Sequence, residues 1–568
     1  MELRGLVHLH LATKVSSASH AGTADSTAPA TRERFERAVV AAVILGASIV
    51  LTATAPVDGD FWWSDSPRHA LNGAFIKDFV AAMPWHDPKA WAINYYLQYP
   101  SLTILVYPPL FYVVEAAAYG LFGVSQMVAQ ATVGLFTLLL GMAAYGVARL
   151  SFPRWSALGA SLLVIGGPQA AFWARQVMLD IPAYAALVTG VFFFIRYLHE
   201  EKPRYLYMSV FATLAAVYIK INTVFIVPVL AVVLLAVEGR KAFDHHHSVA
   251  GILGLLGLVP IVLLTVGFGE ANMQSVAGRP SDLPMASVAA WLFYAEAMPQ
   301  YLGYGALLLA LGLSGLVLVG LRRVQPLEPW LAGLLVGWLG FGYIFFSAMG
   351  VREPRHGLMI AFPLVLFALL ALHRFLPTRL AQTTAVTLGA GTFVYSLVFS
   401  SPPVVRGYRA VADYVAQHAP RDGVVMFSGY RDGNFVFDLR THEDRRDIST
   451  IRADKLLLRI AVERERGVGQ ADLNEEQIAA SLRDFGVSLI IVQPGFWEDL
   501  REMARFSAVL RSPEFERVVQ FDITGSVDHT DQSIEIYKPT YAVNQGRRTL
   551  RLEMPIIGDT FRGTVGSH

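Results

Sequence analysis

The chain has 568 residues, of which 54% are hydrophobic and 16% charged, and its mean hydropathy of +0.44 indicates a polytopic membrane protein, not a water-soluble globule. Lysine and arginine (46) nearly balance aspartate and glutamate (45), so the chain lacks the strong basic excess that indicates a nucleic-acid partner. No cysteine is present, which excludes disulfides, thiol nucleophiles and cysteine-ligated metals.

The N-terminal segment 1–37 is rich in Ala, Ser, Thr and His without periodicity, and we interpret it as a disordered cytoplasmic tail. Uncharged runs of roughly fifteen to twenty-five residues follow, and runs of this length predict transmembrane helices. About eleven are expected, at 38–57, 126–148, 155–174, 181–195, 205–219, 221–237, 248–269, 300–321, 329–351, 357–372 and 381–400.

One further apolar run, 101–123, is interrupted by Pro108, Pro109 and Glu115. If this run does not cross the membrane, every short basic loop lies on one face, as the positive-inside rule requires of the cytoplasmic side. We therefore predict an interfacial or re-entrant pair of helices within a long first outer loop, 57–125. An odd number of spans then places the N-terminus in the cytoplasm and the C-terminus outside.

The composition changes near Ser401, where charged residues become frequent and helix and strand patterns alternate. This alternation predicts a soluble extracytoplasmic α/β domain over 401–540, followed by an irregular tail, 541–568. The predicted helices are 405–418, 451–465 and 474–485, and the predicted strands are 423–428, 487–492, 517–522 and 533–537.

Ionisable residues collect where the predicted spans meet the outer loops. Such groups are costly at the edge of the hydrocarbon unless they line a wet cavity and pair with each other or with a ligand, so each is a site candidate. Several cations around a few carboxylates suit a lipid-linked phosphate, and a loop carboxylate could accept a proton from an incoming hydroxyl. The candidates are Asp58, Asp60, Asp65, His69, Arg175, Asp180, Lys220, Arg352, Arg355 and His356.

Four stretches carry a resemblance to a known family when they are taken together with the acidic residues that follow the first span. In chain order they resemble GT-C fold glycosyltransferases that use polyprenyl-phosphate sugars, and most of all the branch of protein O-mannosyltransferases and lipid A aminoarabinose transferases. The resemblance covers 38–400 and implies a GT-C-like transmembrane catalytic domain. The stretches are YPPLFYVVEAAAYGLFGVSQMVAQ (107–130), FPRWSALGASLLVIGGPQAAFWARQVMLDIPAYAAL (152–187), YIKINTVFIVP (218–228) and VREPRHGLMIAFP (351–363).

The resemblance also implies residue roles. An Asp on the first loop acts as general base on the acceptor; Asp65 best matches that position, and Asp60 is the second choice. The basic positions imply binding of the donor phosphate by Lys220, Arg352, Arg355 and Arg175. The remaining pocket residues are Asp58, His69, Tyr107, Asp180 and His356.

The implied reaction is an inverting transfer of a sugar from polyprenyl phosphate to a glycolipid, polysaccharide or protein acceptor at the outer face of the cytoplasmic membrane. This chemistry requires no cofactor and no metal site, because bound cations already neutralise the leaving phosphate. The pair Asp58 and Asp60 with Asp180 leaves a divalent cation possible. The expected partners are the lipid-linked donor, the acceptor and membrane lipid, without nucleic acid.

Other interpretations remain open from the sequence. Asp65 precedes Ser-Pro and could cap a helix, Arg175 and Asp180 could form a structural ion pair, and Arg352 and Arg355 could be interfacial residues. A transporter or flippase of lipid-linked sugars is the alternative function, and it predicts inverted halves with broken helices near the midplane.

Overall fold

A computed structural model of the chain describes residues 27–104, 106–276, 283–303, 306–460, 468–470, 472–543, 548–554 and 559–565. Of the predicted disordered tail, residues 1–26 lie outside this description. The remainder of that prediction is wrong, because the first helix already begins at Thr27. Ion pairs between side chains four residues apart support this first turn, with Arg32 bound to Glu36 and Arg37 to Glu33.

Helices occupy all the runs that the sequence predicted as spans. In chain order the helices are α1 (Thr27–Ala53), α2 (Asp65–Ala82), α3 (Pro88–Gln98), α4 (Leu110–Phe122), α5 (Gln126–Arg149), α6 (Arg154–Gly166), α7 (Pro168–Ala174), α8 (Asp180–Glu200), α9 (Pro203–Ile219), α10 (Ile226–Glu238), α11 (His245–Val276), α12 (Val288–Leu302), α13 (Ala306–Gly320), α14 (Pro329–Ser347), α15 (Phe362–Phe375) and α16 (Thr378–Phe399). Short 3-10 helices, Ile221–Phe225 and Pro354–Ile360, precede α10 and α15.

The number of spans depends on how bent helices are counted. Among the described residues, six helices are long and apolar enough to cross a membrane, and the number rises to nine if each bent pair is one span. The bent pairs are α6 with α7 at 62°, α12 with α13 at 114°, and the second 3-10 helix with α15 at 47°. The prediction of about eleven spans is reached when two further helices are added to these nine. They are α9, which has 17 residues, and α16. The α-helical polytopic fold class is confirmed.

The first loop is helical, and α4 packs on α2. The run 101–123 holds one helix, not the predicted pair, because α4 begins only after Pro109. Tyr119 of α4 donates a hydrogen bond to the carbonyl of Ala70 at 3.3 Å. A Cβ at Gly73 would lie 2.2 Å from a carboxyl oxygen of Glu115, so only glycine permits this close approach. Burial raises the pKa of Glu115 well above its usual range.

The C-terminal region alternates strands and helices. Its elements are β1 (Val405–Arg406), α17 (Tyr408–His418), β2 (Val424–Ser428), α18 (Asp432–Thr441), β3 (Ser449–Arg452), α19 (Ala453–Leu457), β4 (Leu458–Ile460), β5 (Val468–Gln470), α20 (Glu475–Asp484), β6 (Val487–Val492), α21 (Arg501–Leu510), β7 (Phe515–Asp522), β8 (Thr524–Gly525), β9 (Ser533–Pro539), β10 (Arg548–Met554) and β11 (Asp559–Val565). Five of the strands form a mixed sheet of order β3-β2-β6-β9-β7, with β2 parallel to β3 and β6, and β9 antiparallel to β6 and β7. All four predicted strands are confirmed.

Three predictions for this region are wrong in detail. The predicted helix 451–465 is replaced up to residue 460 by β3, α19 and β4, since β3 pairs with β2, and 461–467 lie outside the described residues. The helix predicted from 405 begins at Tyr408, because Gly407, with φ of 131°, separates it from strand β1. The tail predicted as irregular contains the antiparallel hairpin of β10 and β11.

A buried ion pair joins the C-terminal region to the first loop. Arg440 of α18 binds Asp78 of α2 through both carboxylate oxygens at 2.7–3.0 Å, and the two side chains are 0% and 2% exposed. Tyr95 donates a further hydrogen bond to Asp78 at 2.9 Å, and Arg446 lies 3.1 Å from it. The loop is therefore held between the membrane helices and the sheet.

Replacing Arg440 with methionine tests how much this buried ion pair contributes to stability. The substitution leaves the Asp78 carboxylate buried with fewer partners, so we expect a loss of about 3–5 kcal/mol in the free energy of unfolding, measured by thermal unfolding in detergent. The control is Arg483→Met, which breaks the exposed pair with Glu514 (2.5 Å) and should cost less than about 1 kcal/mol. Equal effects of the two substitutions would contradict the assigned importance of the buried pair.

Candidate active site

Lys220 and Asp180 form the first part of a charged cluster. Lys220 is the C-cap residue that follows α9 and Asp180 begins α8, and the packing of these helices brings Lys220 Nζ to 2.6 Å from Asp180 Oδ1. Their side chains are 12% and 1% exposed, so neither charge is free in solvent. Asp180 also lies at a helix N-terminus, where the helix dipole favours a carboxylate. The alternative pairing of Arg175 with Asp180 is therefore wrong.

Arg355 joins this cluster, because it lies close enough to Asp180 for their charges to interact, and it also contacts residues of other segments. Its Nη2 lies 3.7 Å from Oδ2 of Asp65, the first residue of α2, and its Nε lies 2.5 Å from Oε2 of Glu353. The guanidinium carbon also lies 5.4 Å from the ring centroid of Trp173, a cation–π distance. Asp65 is 32% exposed, so its carboxylate remains accessible from the aqueous side. Ser64 occupies the N-cap position without a side-chain cap bond, which argues against the capping interpretation of Asp65.

His69 and Tyr107 form the buried wall beside Asp65. Their rings lie 4.9 Å apart, and His69 Nδ1 is hydrogen-bonded to the hydroxyl of Tyr112 at 2.8 Å. Burial lowers the pKa of His69 to about 4, with the charge of Asp65 opposing and that of Arg355 reinforcing the shift. Burial and the neighbouring Asp65 raise the pKa of Tyr107 above its usual range. Both rings are therefore neutral near pH 7.

Three buried polar atoms in the cluster have no hydrogen-bond partner among the described residues. They are Oδ2 of Asp180, Nε of Arg355 and Nδ1 of His356. His356 directly follows Arg355 in the chain. Its ring is near enough to Lys220 and Asp180 to interact electrostatically with both charges. Unsatisfied buried polar atoms are rare in native proteins and commonly mark places where a ligand or water completes the bonding. The cluster thus has buried polar atoms that a ligand could bond.

Two predicted phosphate-binding residues lie elsewhere. Arg175 is 2% exposed and donates to the carbonyls of Ala171 (3.0 Å), Ser396 (3.0 Å) and Ser400 (2.5 Å), so it ties α7 to the end of α16. Arg352 donates to the carbonyl of Ser347 at 2.9 and 3.1 Å and thereby holds the end of α14. Backbone carbonyls bind both guanidinium groups, and among the described residues neither group forms a hydrogen bond or ion pair with Lys220, Arg355 or Asp65.

The two acidic residues nearest α1 also contact the C-terminal region. Asp58 lies 2.7 Å from Arg406, which lowers the pKa of this carboxyl. Asp60 is 3% exposed and accepts hydrogen bonds from the backbone amides of Tyr408 (2.8 Å) and Arg409 (3.3 Å). Burial raises the pKa of Asp60. These contacts join Asp60 to the C-terminal region, whereas Asp65, the first choice for the base, lies beside Arg355.

No group of three or more His, Asp or Glu side chains arranged to hold a metal ion occurs in the described parts of the chain.

Two residues of the cluster received no role from the sequence. Glu353 was visible only as one charge among several before a span, and Trp173 lies in an apolar run, so neither carried a distinguishing signal.

The neutral His69 makes stability depend on pH. Its pKa is lowered from 6.5 to about 4 on folding, so the unfolded chain binds the additional proton in between, and stability falls as pH decreases from about 6.5 to 4. We expect His69→Gln to reduce this pH dependence by up to about 1.4 kcal/mol per pH unit, measured by unfolding at several pH values. His86→Gln, at an exposed ring in the same loop, is the control, and identical slopes in both variants would contradict the assignment.

Comparisons with known proteins agree with this architecture. The family described as dolichyl-phosphate-mannose-protein mannosyltransferase matches residues 106–264, while the curated proteins contain no match. The crystal structure of ArnT from Cupriavidus metallidurans bound to undecaprenyl phosphate has a TM-score of 0.61 at 14% identity, covering 87% of this chain and 97% of that chain. Its apo state has a TM-score of 0.62 at the same identity and coverage.

The Archaeoglobus fulgidus oligosaccharyltransferase complex with Zn and sulfate is similar at a TM-score of 0.50 and 13% identity, covering 80% of this chain and 68% of that chain. Sequence identities this low establish the fold alone. The chain therefore has the GT-C fold of polytopic membrane glycosyltransferases, with a sheet-containing C-terminal region.

Proposed function

We propose that the protein is a glycosyltransferase that moves a sugar from a polyprenyl-phosphate donor to an acceptor at the outer face of the cytoplasmic membrane. The observation that carries this proposal is the convergence of an accessible carboxylate, Asp65, with the cations Arg355 and Lys220 in one cluster. The similar ArnT structure, which holds undecaprenyl phosphate, supports a lipid-linked phosphate as the donor. The acceptor is a glycolipid, a polysaccharide or a protein side chain.

Lys220 and Arg355 bind the donor phosphate in this proposal. Without a ligand their charges are balanced by Asp180, Glu353 and Asp65. The Asp65–Arg355 contact of 3.7 Å is the longest of these pairs, so it is the one that a phosphate displaces most readily. Binding of the donor then frees the Asp65 carboxylate at the moment when the sugar is in place.

The transfer is a single displacement with inversion at the anomeric carbon. The acceptor oxygen or nitrogen attacks C1 of the sugar, the bond from C1 to the phosphate oxygen breaks, and the acceptor proton passes to Asp65. The additional negative charge on the departing polyprenyl phosphate is stabilised by Lys220 and Arg355. Asp180 holds Lys220 in position, while His356, with its unsatisfied Nδ1, is placed to bind a polar group of the donor.

The orientation follows from where the basic loops lie. Arg154, the first residue of α6, pairs with Glu36 and lies 3.5 Å from Glu33, so the start of α1 and the start of α6 share one face. We propose, from the positive-inside rule, that this basic face is cytoplasmic and that the cluster and the C-terminal region lie outside.

Asp65→Asn tests the base directly. It retains the size of the side chain but cannot accept the proton, so we expect product formation to fall by about 10²–10⁴-fold at unchanged protein level. Mass spectrometry of envelope glycolipids and glycoproteins measures the product in cells that lack the natural chain and express the variant. The control is Asp87→Asn, at a helix cap of the same loop where asparagine caps equally well. Full product from Asp65→Asn would refute the assignment and favour a transporter.

The donor site is tested by binding of undecaprenyl phosphate to the purified protein. The double variant Asp180→Asn/Lys220→Met removes the cation without leaving a buried unpaired carboxylate. We expect it to bind undecaprenyl phosphate at least tenfold more weakly, as measured by tryptophan fluorescence. Arg352→Gln should change the affinity less than twofold, because carbonyls bind this guanidinium. The opposite order of effects would show that the phosphate binds at Arg352.

A further inference from the structure

The chain segments on both sides of Asp65 are held by the C-terminal region. On the N-terminal side, Asn434 donates to the carbonyl of Phe61 at 2.8 Å, and Arg431 donates to the carbonyl of Trp62. The amide of Asp60 also donates to Val405 at 2.6 Å. The partners in these contacts are far apart in sequence, by 369 and 373 residues in the two side-chain contacts, and they fix the backbone that leads into α2.

On the C-terminal side, Arg68 is bound by Asp432, the first residue of α18. Arg68 Nη2 donates to Asp432 Oδ1 at 3.0 Å, and Asp432 also accepts from Ser101 Oγ (2.6 Å) and Arg452 Nη1 (2.7 Å). The Asp432 side chain is 5% exposed. Burial opposes ionisation, yet the charges of Arg452 and Arg68 hold the pKa of Asp432 below its usual value. The carboxylate is thus a charged, fully bonded anchor.

The next residue of α18 touches the same turn of α2. A Cβ at Gly433 would lie 2.8 Å from Cγ of Pro67 and 3.7 Å from Cγ of Arg68. Any side chain at this position would have to displace the proline ring, which is rigid. The backbone of α18 is therefore in direct contact with α2 only two residues after Asp65.

The first turn of α2 thus has two packed sides. Residues three and four positions apart lie on neighbouring parts of a helix surface, so Arg68 and His69 follow Asp65 by one turn. Arg68 faces Asp432, while His69 faces Tyr107 and Tyr112. The position of Asp65 relative to Arg355 is set by both contacts together.

We propose that Arg68, Asp432 and Gly433 are positioning residues for Asp65, and that the C-terminal region thereby sets the distance between the base and the bound donor. This inference rests on the proposed transferase function. None of the three touches a reacting atom; they act through the first turn of α2. A displacement of about 1 Å in a catalytic group can lower the rate about 10²-fold, which makes such support consequential.

The test separates the rate from donor binding. Arg68→Gln should lower the rate of product accumulation, per amount of folded enzyme in cells, by at least tenfold, since the first turn loses its charged anchor. Affinity for undecaprenyl phosphate should stay within twofold, because Lys220 and Arg355 are unchanged. Arg68→Lys, which keeps the charge, should recover most of the rate. Arg483→Gln, at an exposed pair in the same region, should change neither quantity.

Gly433→Ala provides an independent variant if Arg68→Gln folds poorly, and it should show the same loss of rate with unchanged lipid binding. Full rates per folded enzyme in Arg68→Gln and Gly433→Ala would overturn the inference while leaving the transferase proposal intact. A parallel loss of rate and lipid affinity would also overturn it, since it indicates a general structural defect. Absence of product from the unaltered protein would refute both.

Discussion

Pairing of charges at the edge of the membrane is the constraint on which the rest of the structure depends. Lys220 is bound by Asp180 across the ends of two helices, and Arg355 is shared between Glu353 and Asp65. Each of these charges would be costly if left alone at this depth, because little water is available to solvate it. The helices therefore have to bring distant segments together, and in the proposed function the same set of charges binds the anionic donor.

The two aspartates of the cluster differ in a way that suits different tasks. Asp180 is buried and bound at 2.6 Å to Lys220, whereas Asp65 is accessible and only 3.7 Å from Arg355. Asp65 owes its place to α2, which lies between the membrane helices and the sheet. The buried pair of Asp78 with Arg440 holds one end of α2, and Arg68 with Asp432 holds the other. The first loop is therefore fixed by contacts with the charged cluster and with the C-terminal region.

The sequence predicted the positions of the spans and the four strands because apolar periodicity encodes both directly. Lys220 was also predictable, since it is an isolated charge between long apolar runs. The sequence is uninformative where backbone groups from distant parts of the chain determine the contacts. Arg175 and Arg352 resemble ligand-binding cations in sequence, but carbonyl groups bind them in the fold. The helix expected over 451–465 is likewise replaced by a strand that pairs with β2. Neither kind of partner is visible in local sequence.

The most direct test of the central claim, that one cluster holds the donor phosphate beside the base, is an experimental structure of the protein with undecaprenyl phosphate bound. The account predicts the phosphate within hydrogen-bond reach of Lys220 Nζ and the Arg355 guanidinium, with Asp65 released from Arg355. A phosphate bound beside Arg175 or Arg352, with the Lys220–Asp180 and Asp65–Arg355 contacts undisturbed, would contradict it.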